Sequence, residues 1–255
     1  DEALLLEAVA EVAKLAGDTA MSCYRRDIAV EIKGDGSPVT AADLNAEQAA
    51  RDWLARRFPA DAVLGEEFGD SGDTKGRKWL IDPIDGTKSF VAGVPLWGTL
   101  IAVVEGEQVV AGAVNCAAAG EIVVAARGQG AWWNGSRCAV SSTARLSAAT
   151  VLTTDERFPG RPERGERWRA LAAQARIVRT WGDCFGYLLV ATGRADVMVD
   201  DRMNAWDSAA LVPIIEEAGG LLTDWRGIRT GFGGDTIATN ALLGPSVRTV
   251  LCETR

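Results

Sequence analysis

The chain has 255 residues, 47% hydrophobic and 24% charged, with a net charge of −8, a composition expected of a soluble globular protein of one or two domains. Such acidity argues against a nucleic-acid or anionic-membrane surface, which needs a basic patch, and no uninterrupted apolar stretch reaches membrane-spanning length. Histidine is absent and the five cysteines are scattered, which removes histidine-dependent triads, histidine-ligated zinc and a disulfide framework and leaves oxygen as the main ligand for any metal.

The acidic Asp1-Glu2 start is unlike the basic start of a signal peptide, so a cytoplasmic protein is expected. Leu5, Val9, Val12, Leu15 and Ala16 recur at helical spacing between Leu4 and Tyr24, and Arg25-Arg26 supply cations suited to a helix C-terminus. Ile28 to Ile32 alternates as a strand until Lys33-Gly34-Asp35-Gly36-Ser37-Pro38 breaks it, and that loop is expected to face a ligand. A second helix runs from Thr40 to Phe58, with Asp43 in its first turn at capping-box spacing. Asp43 is therefore either a cap or a site residue. Ala62 to Gly65 reads as a short strand ending in Glu66-Glu67, which are either surface acids or ligands.

Trp79-Leu80-Ile81 suits a strand covered on both faces, and Asp82-Pro83 and Asp85-Gly86 are turn dipeptides that end it. Two carboxylates thus arrive at one strand end. Pro83 fixes a backbone angle and lacks a donor, so the Ile84 carbonyl can point with Asp82 and Asp85. Carboxylates plus a carbonyl form a partial shell for a hard cation such as Mg²⁺, and Thr87 adds a hydroxyl beside it. The bland alternative is that both aspartates only shape a turn.

Short apolar segments from Trp97 to Val140, punctuated by glycines and Asn134-Gly135, read as an antiparallel meander. Strands then alternate with helices. Strands are expected at Thr150 to Thr154, Ile177 to Thr180, Ala195 to Val199, Leu221 to Thr223 and Thr236 to Ala238. Helices are expected at Glu163 to Ala175, Phe185 to Thr192 and Ala205 to Ala218, the last stopped by Gly219-Gly220. Arg157 to Arg167 reads as an exposed excursion, and Asp207 as either a first-turn acid or a ligand. No linker is long enough to free two domains, so 1–255 is read as one unit with an N-terminal half, 1–142, and a C-terminal half, 143–255.

Gly65-Glu66-Glu67, Asp82-Pro83-Ile84-Asp85-Gly86-Thr87, Trp206-Asp207-Ser208-Ala209-Ala210 and Glu217-Ala218-Gly219-Gly220 resemble, in order and spacing, the motifs of the inositol monophosphatase superfamily. The resemblance implies an α/β, α-β-α-β-α layered sandwich, a homodimer, and two or three Mg²⁺ ions, with Mn²⁺ as a substitute. It implies Glu66, Asp82, Asp85, Asp207 and the Ile84 carbonyl as metal ligands, most of them in the N-terminal half. Asp43 and Thr87 are the implied pair that orients and deprotonates water, with Glu66 counted beside them. Asp85 and the backbone around Gly86 and Thr87 would cradle phosphate.

Trp181-Gly182-Asp183-Cys184-Phe185 is similar to a segment of the branch that hydrolyses histidinol phosphate, and Lys88-Ser89 departs from the Thr-Asn usual in inositol monophosphatases. The implied substrate is histidinol phosphate, whose cationic groups would pair with Asp183 and Asp200. Inositol monophosphate and adenosine 3′,5′-bisphosphate are the alternative esters, Asp200 also matching an acid that inositol-specific relatives use for ring hydroxyls. A binding protein without turnover is the alternative of another class.

Overall fold

The structure is a computed structural model of the chain that describes residues 2–27, 29–34, 36, 38–72, 76–158 and 161–252. A 20-residue helix α1 (Glu2–Met21) leads to a hairpin, β1 (Val30–Ile32) and β2 (Pro38–Thr40), and then to α2 (Ala41–Arg57). Next come β3 (Ala62–Gly65), β4 (Gly69–Ser71), β5 (Arg77–Asp85), the short helix α3 (Thr87–Val91), β6 (Gly98–Glu105), β7 (Gln108–Cys116), β8 (Glu121–Ala126), β9 (Gly130–Trp133) and β10 (Ser136–Arg137). The rest is β11 (Thr150–Thr153), α4 (Pro162–Ala172), β12 (Ile177–Arg179), α5 (Asp183–Ala191), β13 (Val197–Asp200), α6 (Ala205–Ser208), α7 (Leu211–Glu217), β14 (Gly220–Thr223), β15 (Thr236–Asn240) and α8 (Gly244–Leu251).

Among the described residues, β3 to β10 make an eight-stranded sheet in the order β10-β9-β8-β7-β6-β5-β3-β4. It is antiparallel from β5 to β10, the expected meander, while β3 runs parallel to β5. A second sheet of five strands has the order β12-β11-β13-β15-β14.

Side-chain alternation along the strands explains the layers, because successive residues face opposite sides of a sheet. Trp79 and Ile81 of β5 pack with Leu5, Val9 and Val12 of α1 and Ala46 and Ala50 of α2, whereas Leu80 faces Leu188 of α5 and Ile214 of α7. On the second sheet, Met198 of β13 faces α5 and α7, while Val197 and Val199 face Trp168 of α4 and Val247 of α8. The order of layers is therefore helix pair, sheet, helix pair, sheet, helix pair. This is the α-β-α-β-α sandwich.

Three local expectations change. The helix expected over Ala205 to Ala218 is two helices, α6 and α7, because Pro213 has no N–H to give the Ala209 carbonyl and its ring crowds that position. The Arg157 to Arg167 run is exposed only in part: Arg157, Arg161, Glu163 and Glu166 face solvent, but Phe158 is 1% exposed between Trp168 and Trp225, and Arg164 is paired with Asp235 at 2.8 Å. Pro159 and Gly160 of that run, with Ile28, Asp35 and Ser37 of the first strand and loop, lie outside the described residues. Finally, β5 does not stop at Asp82 but continues to Asp85 with a shift in register between them. Pro83, which cannot donate to the ladder, sits in that irregularity.

Candidate active site

The site forms where β5 breaks register. Asp82 is 2% exposed and its Oδ1 accepts the Ile84 N–H at 3.1 Å. The Pro83 carbonyl accepts from Thr99 Oγ1 at 2.8 Å, and the Ile84 carbonyl from Thr87 Oγ1 at 3.0 Å. Asp85 Oδ2 accepts the Cys184 N–H at the start of α5, which ties the first sheet to the middle helix layer. Glu66 follows β3, the parallel neighbour of β5, and its N–H donates to the Ile81 carbonyl at 3.1 Å. Asp207 arrives from α6, which packs on β5, and its Oδ2 accepts the Asn204 N–H at 2.7 Å.

These acids act on one another electrostatically. Burial pushes the Asp82 carboxyl well above the usual carboxylate range, and Glu66, Asp85 and Asp207 push it further. Asp85 is raised by burial and then by Asp183 and Asp207. Asp207 is raised to about 6, by burial and by Glu66 against the opposing pull of Asn204.

The four expected acids are thus neighbours, yet among the described residues no three acidic or thiol side chains are arranged to hold an ion. Glu66 Oε1 accepts instead from Lys33 Nζ at 2.8 Å, and the same ammonium reaches Glu67 Oε1 at 2.7 Å. Burial works against the Lys33 charge, but the two carboxylates outweigh it and raise its pKa. The donor chemistry nonetheless fits a hard divalent cation: buried Asp82 crowded by half-buried Glu66, Asp85 and Asp207 beside a backbone carbonyl is a destabilising arrangement that positive charge relieves.

Asp43 and Thr87 are not hydrogen-bonded to each other among the described residues. Asp43 is 1% exposed and its Oδ2 accepts from both Thr40 N at 2.8 Å and Thr40 Oγ1 at 2.7 Å, which completes a capping box on α2. Burial raises its pKa despite those bonds, and Glu66 adds to the rise. Capping occupies one oxygen of Asp43, and likewise one of Asp207. Asp43 Oδ1 is left without a hydrogen bond among the described residues, so a cap and a site acid are not exclusive readings here.

Beside these groups lies a cavity of ≈ 350 Å³ lined by Gly86, Thr87, Lys88, Thr154 and Asp183, among others. Asp183 takes a left-handed φ of +51° at the first position of α5, and its N–H donates to Thr154 Oγ1 at 2.8 Å. An unusual backbone conformation thus points this acid at the site. A Cβ on Gly86 would stand 3.0 Å from both Asp183 Oδ2 and the Leu96 carbonyl, a tight approach, and the residue's φ of +84° favours glycine in any case. Burial raises Asp183 to about 6 against the pull of Lys88.

The chain matches the inositol monophosphatase family over residues 1–253. It belongs to that family. It is 44% identical to a histidinol-phosphatase of Chlorobaculum parvum over 93% of both chains, and 41% identical to a histidinol-phosphatase of Mycobacterium tuberculosis over 88% of both. Its fold superposes on the extragenic suppressor protein suhB of Bartonella henselae with a TM-score of 0.92 and 28% identity, covering 99% of this chain and 100% of that one. A Thermotoga maritima IMPase gives a TM-score of 0.85 at 31% identity, covering 97% and 95%.

Two features of this inositol monophosphatase family member differ from the sequence reading. Asp200, expected beside the substrate, is 8% exposed and turned toward α5, where the Thr154 N–H bonds it at 3.1 Å and the Tyr187 O–H at 2.8 Å, near enough to Asp183 for that acid's charge to act on it. That burial raises it to about 7. Lys33 belongs to the loop expected to face a ligand, but its pairing with Glu66 was not anticipated, nor was Thr154 as a site residue. The glycines around Lys33 signalled a loop but not its partner, and Thr154 meets Asp183 only through the parallel pairing of β11 with β12 and β13.

Proposed function

We propose that this chain is a Mg²⁺-dependent phosphomonoesterase that converts histidinol phosphate to histidinol and inorganic phosphate, a cytoplasmic step of histidine biosynthesis carried out by a homodimer. The observation that carries this reading is the meeting of Glu66, Asp82, Asp85 and Asp207 beside a cavity that Gly86, Thr87 and Asp183 line. The two relatives named histidinol-phosphatase support the choice of ester.

In this reading Glu66, Asp82, Asp85, Asp207 and the Ile84 carbonyl hold two or three Mg²⁺ ions, or Mn²⁺. Bound there, the ions offset the charge of the phosphate oxygens and make water more acidic. The chain's own groups do the rest. Thr87 Oγ1 orients the attacking water in line with the ester bond and the unengaged Oδ1 of the Asp43 carboxylate accepts its proton, with Glu66 beside them. Backbone N–H groups at Gly86 and Thr87 hold phosphate oxygens. Asp183 pairs with the ammonium or imidazolium of the leaving alcohol, an interaction an inositol ring cannot make. Asp200, behind Thr154, fixes the strand end against which Asp183 is seated.

Phosphate release from histidinol phosphate, inositol monophosphate and adenosine 3′,5′-bisphosphate at matched Mg²⁺ tests the reading. Histidinol phosphate should give the highest kcat/KM. Preference for inositol monophosphate would overturn the substrate, and binding of all three without release would favour a non-catalytic binder.

A further inference from the structure

Beneath the Glu66 turn lies a second acid of α2 that the chemistry above does not use. Glu47 stands one helical turn after Asp43 and is 0% exposed. A fully buried carboxylate is costly unless its oxygens are bonded. Glu47 Oε1 accepts from Arg51 Nε at 2.7 Å and from the Phe68 N–H at 3.2 Å, and Oε2 accepts the Glu67 N–H at 2.7 Å. The carboxylate lies so close under the turn that a Cβ on Gly65 would fall 1.9 Å from Glu47 Oε1.

Glu66 is therefore bracketed by Glu47 on both sides, through van der Waals contact at Gly65 before it and two N–H bonds after it. Its own N–H is bonded to Ile81 of β5. Arg51 extends the clamp, with Nη1 on Ser71 Oγ at 2.8 Å and Nη2 on the Gly69 carbonyl. We propose that Glu47 is a positioning residue: it holds the turn from Gly65 to Phe68 so that the Glu66 carboxylate is presented to Asp82 for cation binding. This rests on the reading of Glu66 as a metal ligand.

Groups that orient metal ligands from behind typically set affinity by 10- to 100-fold. Direct Mn²⁺ binding to the full chain, followed by the electron paramagnetic resonance of free Mn²⁺, gives a readout independent of turnover. Glu47→Gln should raise the Mn²⁺ Kd about 10-fold at a temperature where circular dichroism shows it folded. Amide exchange at Glu67 and Phe68 in the metal-free protein should rise at least as much. Arg51→Gln, which removes the ion pair but leaves the carboxylate, should shift both in the same direction and serves if Glu47→Gln does not fold. Faster exchange with unchanged Mn²⁺ affinity would mean that the clamp only stabilises the fold, and unchanged exchange that it does not hold the turn; either overturns the proposal. Glu66→Gln is the control. If it leaves Mn²⁺ affinity unchanged, the ligand reading fails and takes the positioning role with it, whereas weakened binding by Glu66→Gln alone overturns only the role of Glu47.

Discussion

A carboxyl that is buried in the folded chain and hydrated in the unfolded one makes stability depend on pH, and Asp200 is the clearest case. Its pKa is raised to about 7 by burial, against about 3.9 for an unfolded aspartate. Between those values the folded state binds more protons than the unfolded one, so stability falls as pH rises through the window and levels off above it. The slope from this one group is at most about 1.4 kcal/mol per pH unit. Asp200→Asn keeps an acceptor for Thr154 N–H and removes the titration. Denaturant melts from pH 4 to 7 should show a shallower decline for the variant than for the natural chain; equal slopes would mean that Asp200 is ionised throughout. Asp183 makes a different prediction because it lines the cavity. Asp183→Asn should raise KM for histidinol phosphate about 10-fold, the scale of one charge-assisted bond, and leave KM for a neutral aryl phosphate nearly unchanged. An equal loss on both esters would reduce Asp183 to a local structural role at the start of α5.

At the scale of elements, the two sheets are joined through close backbone packing against the middle helices. Gly112 of β7 lies under the break between α6 and α7: a Cβ there would meet the Ala210 carbonyl oxygen at 2.3 Å and its Cα at 2.9 Å. Backbone cannot rotate away as a side chain can, so Gly112→Ala should cost about 1–3 kcal/mol and lower Tm. It should also displace Asp207, two residues after the start of α6, and so weaken Mg²⁺ activation; a variant with unchanged Tm and activation would show that this contact yields freely. The same region shows what the sequence could and could not say. Trp79-Leu80-Ile81 announced a strand buried on both faces, and each face does meet a helix layer. Gly219-Gly220 correctly marked a helix end, while Pro213 marked a break that helical periodicity alone hides. The capping box at Thr40 and Asp43 was legible because it is local. Lys33 on Glu66, or Cys184 N–H on Asp85, was not, since those contacts depend on how distant segments are brought together. The facing of Asp200 was hidden for a related reason: a strand-end acid can face solvent or core, and only Tyr187 and Thr154 decide which.

On the scale of the whole molecule, a net charge of −8 sets two different electrostatic problems. Surface acids are screened by any salt, within about 10 Å at 0.1 M. The group formed by Glu66, Asp82, Asp85 and Asp207 is not, because Asp82 is buried and raised well above the usual carboxylate range by burial and by its neighbours. The metal-free chain therefore carries a local cost that monovalent salt does not remove and that a divalent ion held there would. Millimolar Mg²⁺ should raise Tm, as binding to the folded state alone requires, while NaCl at equal ionic strength should not. Asp82→Asn separates stability from function. The amide keeps an acceptor for the Ile84 N–H and removes one of the repelling charges, so the metal-free variant should be more stable than the natural chain by about 1–2 kcal/mol at neutral pH, within the usual range for relieving a functional strain. It should also lose the Mg²⁺ shift in Tm and, with the metal site impaired, at least about 10²-fold in kcat. Thermal melts with and without Mg²⁺, paired with phosphate release, check all three. An Asp82→Asn protein that is less stable without metal would show that the acids are not repelling one another in the folded chain, and one that keeps both the Mg²⁺ shift and turnover would place the ion elsewhere.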